Sequence, residues 1–509
     1  MASLQASSGQ GALFELVARG LKDKYFVKDA PTSSFPYDAR YLSSCPHLAE
    51  RKTAVPVNGT QFGGTFEVEI DAYGDVMTEC ALEMDLPSWF PPLPVEAGGP
   101  TVDPAIVNGL YPITSTAGES YGYVDGVGYF LFERIQFYQD RILVQEWSGD
   151  GLWAKQRTEG SNAQRYLREI RAGSSMGGGG AGGTAGEIRS LQWRATPGRV
   201  RVVLPLPGMQ CPEDGGLPLL AMTWQTLRLR ITLRRLEDLI VSTDTLAVKP
   251  APWNVPSFHY TLADGATVYS FAPLKREAMG PPQILLSTIQ HYVSPEIQQE
   301  LRNQVIHIPF RRQFENRFTF GELDYISLDK GGVAAVTRRV DGRHPTERLF
   351  WFFRTSQAED HNRLDDVRND YFENHLPTET QPYPDAPGGF YYRLKFVIAG
   401  RDREALSSGL VWNGMVPWTK DENGGGAATG IGEMRWSLGE RFGVLYPAGR
   451  QPEGTLNLTT ADRPTLYLEL ANVGTNPLLA QRKTEMRVFT EGWNVYEIRE
   501  GRGRMMFAS

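Results

Sequence analysis

Two stretches of this chain, far apart in sequence, carry the same layout, and that duplication constrains the fold more than any other feature. Residues 444–470 read as strand, corner, strand, turn, strand. Leu466, Leu468 and Leu470 fall on one side and Tyr467 and Glu469 on the other, the period of two expected of a strand with one buried face. Pro447 and Pro452 have no amide to give to a central ladder, so the Pro-Ala-Gly-Arg-Gln-Pro segment makes a corner. Residues 199–233 repeat the scheme. Val200, Val202 and Leu204 alternate with polar neighbours, a Pro/Gly corner follows over residues 207–216, and a strand is expected over 217–224. Then Leu227, Leu229, Ile231 and Leu233 alternate with Arg228, Arg230, Thr232 and Arg234.

The repeat extends in both directions. Residues 391–406 match the strand pair at 129–143, with Gly-Arg-Asp-Arg (400–403) standing where Tyr-Gln-Asp-Arg (138–141) stands. Residues 349–353, apolar on both faces, stand where 76–86 stand; the latter belong to a strand-turn-strand unit over 65–86 with its turn at 72–75. Residues 283–293 and 485–500 supply the closing strands of the two copies. Such a repeat is far longer than solenoid periods, and 509 residues are too many for one core. Each copy offers about eight strands, and eight antiparallel strands in two sheets with Greek-key crossings form a jelly roll. The fold class is therefore all-β: two consecutive eight-stranded antiparallel jelly rolls with short helical insertions. The expected division is an N-terminal arm (1–26), a first jelly roll (27–301) and a second (302–509). In the arm, Leu13, Leu16, Val17 and Leu21 share one side of a short helix. Residues 150–171 read as a helical insertion with Trp153, Tyr166, Leu167 and Ile170 as its apolar contacts. Residues 87–122 read as a long loop, and the glycine-rich 172–186 as a mobile one.

The formal net charge of −7 argues against a large phosphate-binding surface. Cys45, Cys80 and Cys211 are odd in number and contain no CxxC pair, so neither a disulfide framework nor a cysteine zinc site is expected. The first ten residues lack a basic region and an apolar region, and no apolar run approaches the roughly 20 residues that span a bilayer; the reading is of a chain made in the cytosol.

No motif yields catalytic, cofactor-binding or metal-ligating residues, and no cofactor is expected. Gly118–Gly122 and Gly173–Gly177 fit G-x-S-x-G, but neither sits on the strand-to-helix turn that exposes a nucleophile. The glycines of 177–183 fit G-x-G-x-x-G without a βαβ unit around them. Asp360, His361, Asp365, Asp366, Asp370 and His375 are a His/carboxylate cluster, read as a solvated loop because the segment runs into Pro-rich sequence. His307 reads as structural. Arg228, Arg230, Arg234 and Arg235 form a basic face, read as pairing with acids of a neighbouring strand or subunit. Asn58 and Asn457 fit the glycosylation pattern, which means little without a secretory route.

The segment Pro-Ala-Gly-Arg-Gln-Pro-Glu-Gly-Thr-Leu-Asn-Leu (447–458), followed by Trp-Asn-Val-Tyr-Glu-Ile-Arg-Glu-Gly-Arg-Gly-Arg-Met-Met-Phe-Ala (493–508), resembles the end of major capsid proteins of nucleocytoplasmic large DNA viruses. Residues 16–25, 63–82 and 217–233 are similar to other parts of that family. The resemblance covers most of the chain and is weakest over 87–122, 172–186, 242–282 and 359–389. It implies a structural, non-enzymatic subunit that trimerises into pseudo-hexagonal capsomers and tiles an icosahedral shell. The implied partners are other copies of the chain, neighbouring capsomers, and minor capsid and penton proteins, with a base that faces an internal viral membrane and no direct nucleic-acid contact. The implied location is the virion capsid, assembled in the host cytoplasm. The alternative is a carbohydrate-binding or carbohydrate-processing β-sandwich, for which Trp412, Trp418 and Trp436 with Glu422 and Glu433 are the nearest candidates.

Overall fold

The alternation over Leu227–Leu233 becomes a strand whose Leu227, Leu229, Ile231 and Leu233 are buried while Arg230 is exposed. Fully burying one such aliphatic side chain contributes roughly 1.5–3 kcal/mol, so a register slip that turned four of them to water would be prohibitive. The computed structural model describes residues 47–507 apart from 159–198, 211–214, 245–247, 322–323, 325–334, 356–358, 361, 363, 365–390, 410, 417–430, 438–453 and 471–483.

Eight strands make the first sandwich: β1 (His47–Ala54), β2 (Thr65–Ile70), β3 (Val76–Asp85), β4 (Phe132–Gln139), β5 (Ile142–Trp147), β6 (Arg199–Val203), β7 (Leu227–Leu233) and β8 (Gln283–Val293). They pair antiparallel in two sheets ordered β1-β8-β3-β6 and β2-β7-β4-β5. The second sandwich comprises β9 (Ile306–Phe320), β10 (Ala335–Arg339), β11 (Pro345–Thr355), β12 (Tyr391–Ile398), β13 (Arg401–Asp402), β14 (Gly432–Arg435), β15 (Thr465–Leu470) and β16 (Thr484–Arg499). Its sheets are ordered β9-β16-β11-β14 and β10-β15-β12-β13, and β17 (Arg502–Met505) folds back on β16. Each number in the second pair of sheets is eight more than its counterpart in the first. Two copies of one jelly-roll topology therefore run in series, as the duplicated layout predicts.

The hairpins confirm the alignment and shift it. β4 turns into β5 at Asp140 and Arg141, and β12 into β13 at Ala399 and Gly400. Asp140, Ala399 and Gly400 have φ of 51°, 51° and 74°, the left-handed geometry of tight hairpin turns. Gly400 is thus the counterpart of Arg141, not of Tyr138.

One expectation is sharpened and two are overturned. The 65–86 segment has its two strands, but β2 and β3 lie in different sheets, so residues 71–75 cross between sheets. The Tyr73 and Gly74 amides donate to Gln290 Oε1 on β8 at 3.0 and 2.6 Å and anchor that crossing. Alternation cannot separate the two cases, because facing strands of opposite sheets bury the same face that a hairpin would. Residues 87–122 are folded rather than one loop. They hold a helix (Pro104–Leu110) and short strands, with Trp89, Phe90, Leu93, Val107 and Ile113 buried. Their apolar anchors are irregularly spaced among prolines and glycines and so show no period. Residues 217–224 make one bridge, Leu217 to Met77, and then a 3-10 turn at Leu219–Ala221. Left-handed Gly208 and Gly216 (φ 78° and 88°) bend the chain there, and a Cβ on Gly208 would stand 2.5 Å from Gly216 O. The helical insertion spans Gly149–Thr158 (α1). Residues 1–26, 159–186 and 444–453 lie outside the described residues.

Candidate functional site

The apolar run at 349–353 has two destinations. Leu349, Trp351 and Phe353 enter the core of the second sandwich, alongside Phe396, Leu466 and Val488. Phe350 and Phe352 point the other way and join the cluster built by the first sandwich. On neighbouring β16, Met486 and Val488 face inward and Phe489 faces outward. The rings of Phe350 and Phe489, directly paired across the strands, stack with centroids 5.2 Å apart. A sheet apolar on both faces must be covered on both.

The cover is α1. Ser148 starts it by accepting the Gly151 amide on Oγ at 3.0 Å. Asp150 in the first turn and Lys155 and Arg157 in the last complement the helix dipole. Trp153 meets Phe352 edge-on at 6.0 Å, and the Arg157 guanidinium lies 4.2 Å over the Trp153 ring. The backbone approaches closely at Gly151, where a Cβ would stand 2.7 Å from Gln313 Oε1 and 3.0 Å from the Phe489 ring.

Charges lock the two surfaces together. Asp150, fully buried, accepts from Arg354 Nη2 at 2.8 Å and also pairs with Arg234 and Arg487. Burial alone would raise its carboxyl pKa, but the guanidinium groups of Arg487, Arg234 and Arg354 outweigh that and hold it well below the usual range. One and a half turns on, Lys155 Nζ meets Glu491 Oε1 at 2.5 Å while Arg348 Nε donates to Glu491 Oε2 at 2.6 Å. Arg348 also reaches Glu433 at 3.3 Å and Thr158 Oγ1 at 3.1 Å, and Arg435 pairs with Glu433 at 2.6 Å. For Glu491 too, burial is overcome by Arg348, Lys155 and Arg311, so it stays ionised. Buried ion pairs of this kind add little net stability over an apolar contact, but every misaligned packing strands a charge. The seam therefore fixes one relative placement of the two sandwiches.

Neutral groups extend the seam. Gln210 exchanges two hydrogen bonds with the backbone of Arg311, its Oε1 accepting from the amide at 2.7 Å and its Nε2 donating to the carbonyl at 2.8 Å, as a strand partner would. Gln139 Nε2 donates to Gly503 O at 2.7 Å, and the Gly503 amide donates to Gln225 Oε1 at 2.7 Å.

No family model matches the sequence, and no curated protein is similar enough in sequence to match it. Solved structures match in shape. VP54 of the virus PBCV-1, a crystal structure fitted into a reconstruction of the virophage Sputnik, superposes with a TM-score of 0.62 at 16% identity, covering 92% of this chain and 98% of that one. The quasi-atomic model of the PBCV-1 virus capsid gives 0.61 at 15% identity, with 92% and 98% covered. The Faustovirus major capsid protein gives 0.58 at 12% identity, with 95% of each chain covered. This chain has the double jelly-roll capsid fold.

Within the double jelly roll, the motifs weighed from sequence fall on scaffold. Ser120 of Gly118–Gly122 precedes a short strand (Tyr121–Tyr123), and its amide donates to Thr243 Oγ1 at 2.9 Å, so no nucleophile elbow forms. Arg228 and Arg230 face Glu67 on β2 at 3.4 and 4.0 Å, the neighbouring-strand pairing expected of them, whereas Arg234 turns into the seam. His307 is exposed on β9 opposite Glu497. Of the His/carboxylate cluster, Asp360 is described and its carbonyl accepts from the Lys249 amide; the other five residues lie outside the described residues. Trp412 is buried with Nε1 donating to Leu394 O at 3.0 Å, Trp436 packs on Phe396 with ring centroids 5.4 Å apart, and Glu433 is paired in the seam. Among the described residues they form no aromatic platform over paired carboxylates; Trp418 and Glu422 lie outside them. The seam itself was missed from sequence. Its signal was present: a two-faced apolar strand bracketed by Arg348 and Arg354, and an insertion carrying Asp150 and Lys155 five residues apart.

Proposed function

We propose that this chain is the structural subunit of a viral capsid, that it trimerises into pseudo-hexagonal capsomers, and that these tile an icosahedral shell. The observation that carries the reading is the seam: two sandwiches of identical topology held in one fixed relation present two similar sides per chain, and three chains present six. The match to the capsid proteins of PBCV-1 and Faustovirus supports the same reading. The first jelly roll spans residues 27–301 and the second 302–509, with residues 1–26 as an arm. Strand-connecting segments make the contacts between chains. Leu48, Val55 and Val57, exposed at 59%, 72% and 70% along the edge of β1 that no described strand pairs and just after it, supply apolar surface that a neighbour would cover. The interfaces of an obligate trimer would exceed about 2,000 Å² in total. Minor capsid and penton proteins complete the shell, the base faces an internal membrane, and assembly takes place in the host cytoplasm.

Native mass measurement and electron microscopy of the purified chain test this. Trimers and hexagonal arrays are expected; a monomer at micromolar concentration with no arrays would end the proposal.

A further inference from the structure

The seam arginines Arg348, Arg354 and Arg487 each meet a carboxylate, and one buried arginine beside them meets none among the described residues. Arg312 on β9 is only 8% exposed, and its Nη1 is shut off from solvent without an acceptor. Among the described residues, the charge that acts on it is that of another cation, Arg343. Its guanidinium lies 5.2 Å over the Phe314 ring, which offers partial compensation at most. Arg343, in the loop before β11, is exposed and pairs with no carboxylate among the described residues.

His344 completes the group. It is buried, adopts a left-handed φ of 68°, and is pinned by its amide donating to Thr459 Oγ1 at 2.7 Å. Its ring lies 6.0 Å from Phe314, and its Nε2 is 3.4 Å from Asn494 Nδ2. Asn494 Oδ1 is already engaged by the amides of Val495 and Phe507 at 2.7 and 3.2 Å, so its NH₂ faces the ring and the imidazole nitrogen there accepts. Burial, then Arg312 and Arg343, push the His344 pKa down to about 4, so the ring is neutral at neutral pH. Among the described residues the groups that face it are thus Arg312 from β9, Arg343 from its own loop, Asn494 from β16 and the Phe314 ring, none of them acidic.

A buried guanidinium without a counter-charge is costly to maintain, and a fork of N–H donors beside a second cation fits a tetrahedral oxyanion. We propose that Arg312, Arg343 and His344 bind one such group, a sulfate or phosphate, beside the loop that leads into β11. The anion would take the guanidinium donors of both arginines and lie beside the neutral His344 ring.

The test uses the full chain and sodium sulfate at pH 7 against sodium chloride at equal ionic strength. Sulfate is expected to raise the melting temperature by several degrees more than chloride. Arg343→Gln alters an exposed side chain, so it folds as the parent does and should weaken the sulfate midpoint at least tenfold. Arg312→Met should abolish the response; if it fails to fold, Arg343→Gln carries the test. Equal effects of sulfate and chloride, or a response unchanged in Arg343→Gln, overturn the proposal. Vesicles of phosphatidate against phosphatidylcholine then separate the sources. Cosedimentation lost in Arg343→Gln assigns a lipid phosphate, and a sulfate response without cosedimentation assigns a free ion.

Discussion

Lys155 of the first sandwich and Glu491 of the second meet at 2.5 Å, both almost wholly buried, 336 residues apart in sequence. Glu491 also carries Arg348. Removing the acid while keeping both cations strands charge in the interior, so Glu491→Gln should cost about 3–5 kcal/mol. Lys155→Met leaves Glu491 with Arg348 and should cost less. Denaturant unfolding of the two single variants and the double variant checks this. The double variant should be more stable than the sum of the singles predicts.

Gly151→Ala should loosen the seam without touching a charge. The new methyl would stand 2.7 Å from Gln313 Oε1 and 3.0 Å from Phe489, so the Gln313 side chain or α1 itself must shift. A loss of about 1–3 kcal/mol is expected, despite alanine's better helix propensity. If Gly151→Ala raises the melting temperature instead, the close approach is not a constraint.

Stability should fall in acid in two stages. His344 has its pKa lowered from 6.5 to about 4 by burial and by Arg312 and Arg343. The unfolded chain therefore binds its proton first, and stability declines as pH drops from about 6.5 towards 4. Asp150 and Glu491 are held ionised below the ordinary carboxylate range, so their contribution is complete above that range and is lost only below about pH 4. His344→Asn keeps a residue tolerant of left-handed φ and should remove the first stage alone, as melting at pH 7, 5.5 and 4.5 in chloride would report.

Ala399 holds φ 51° in the β12–β13 turn, next to Gly400 at 74°. A left-handed residue with a Cβ is strained by roughly 1–2 kcal/mol, part of which glycine returns to the greater freedom of the unfolded chain. Ala399→Gly should stabilise by a few tenths to about 1 kcal/mol in equilibrium unfolding.

The strand order was legible because alternation, proline corners and repeated layout all report which face of a strand is dry. What alternation could not say is which sheet a strand joins. β2 and β3 share a turn and a core but no ladder, and their sequences would look the same as a hairpin. Residues 87–122 were misread because Trp89, Phe90 and Ile113 are anchored singly, with no period to betray them. The seam was half visible: Leu349–Phe353 announced two dry faces, but nothing in one strand names the element that covers the second. That element, α1, is short, charged and rich in glycine, the opposite of an amphipathic sequence signature.

The two copies share a blueprint yet are not interchangeable. β3, third strand of the first copy, shows Glu79 and Glu83 on its outer side, where Arg201 reaches both; its counterpart β11 shows Phe350 and Phe352. A chain made of two first halves would present acid to α1, and a chain of two second halves would have no helix to cover its phenylalanines. One half is thus the donor of the covering helix and the other its acceptor, and their order along the polypeptide gives the chain a built-in direction.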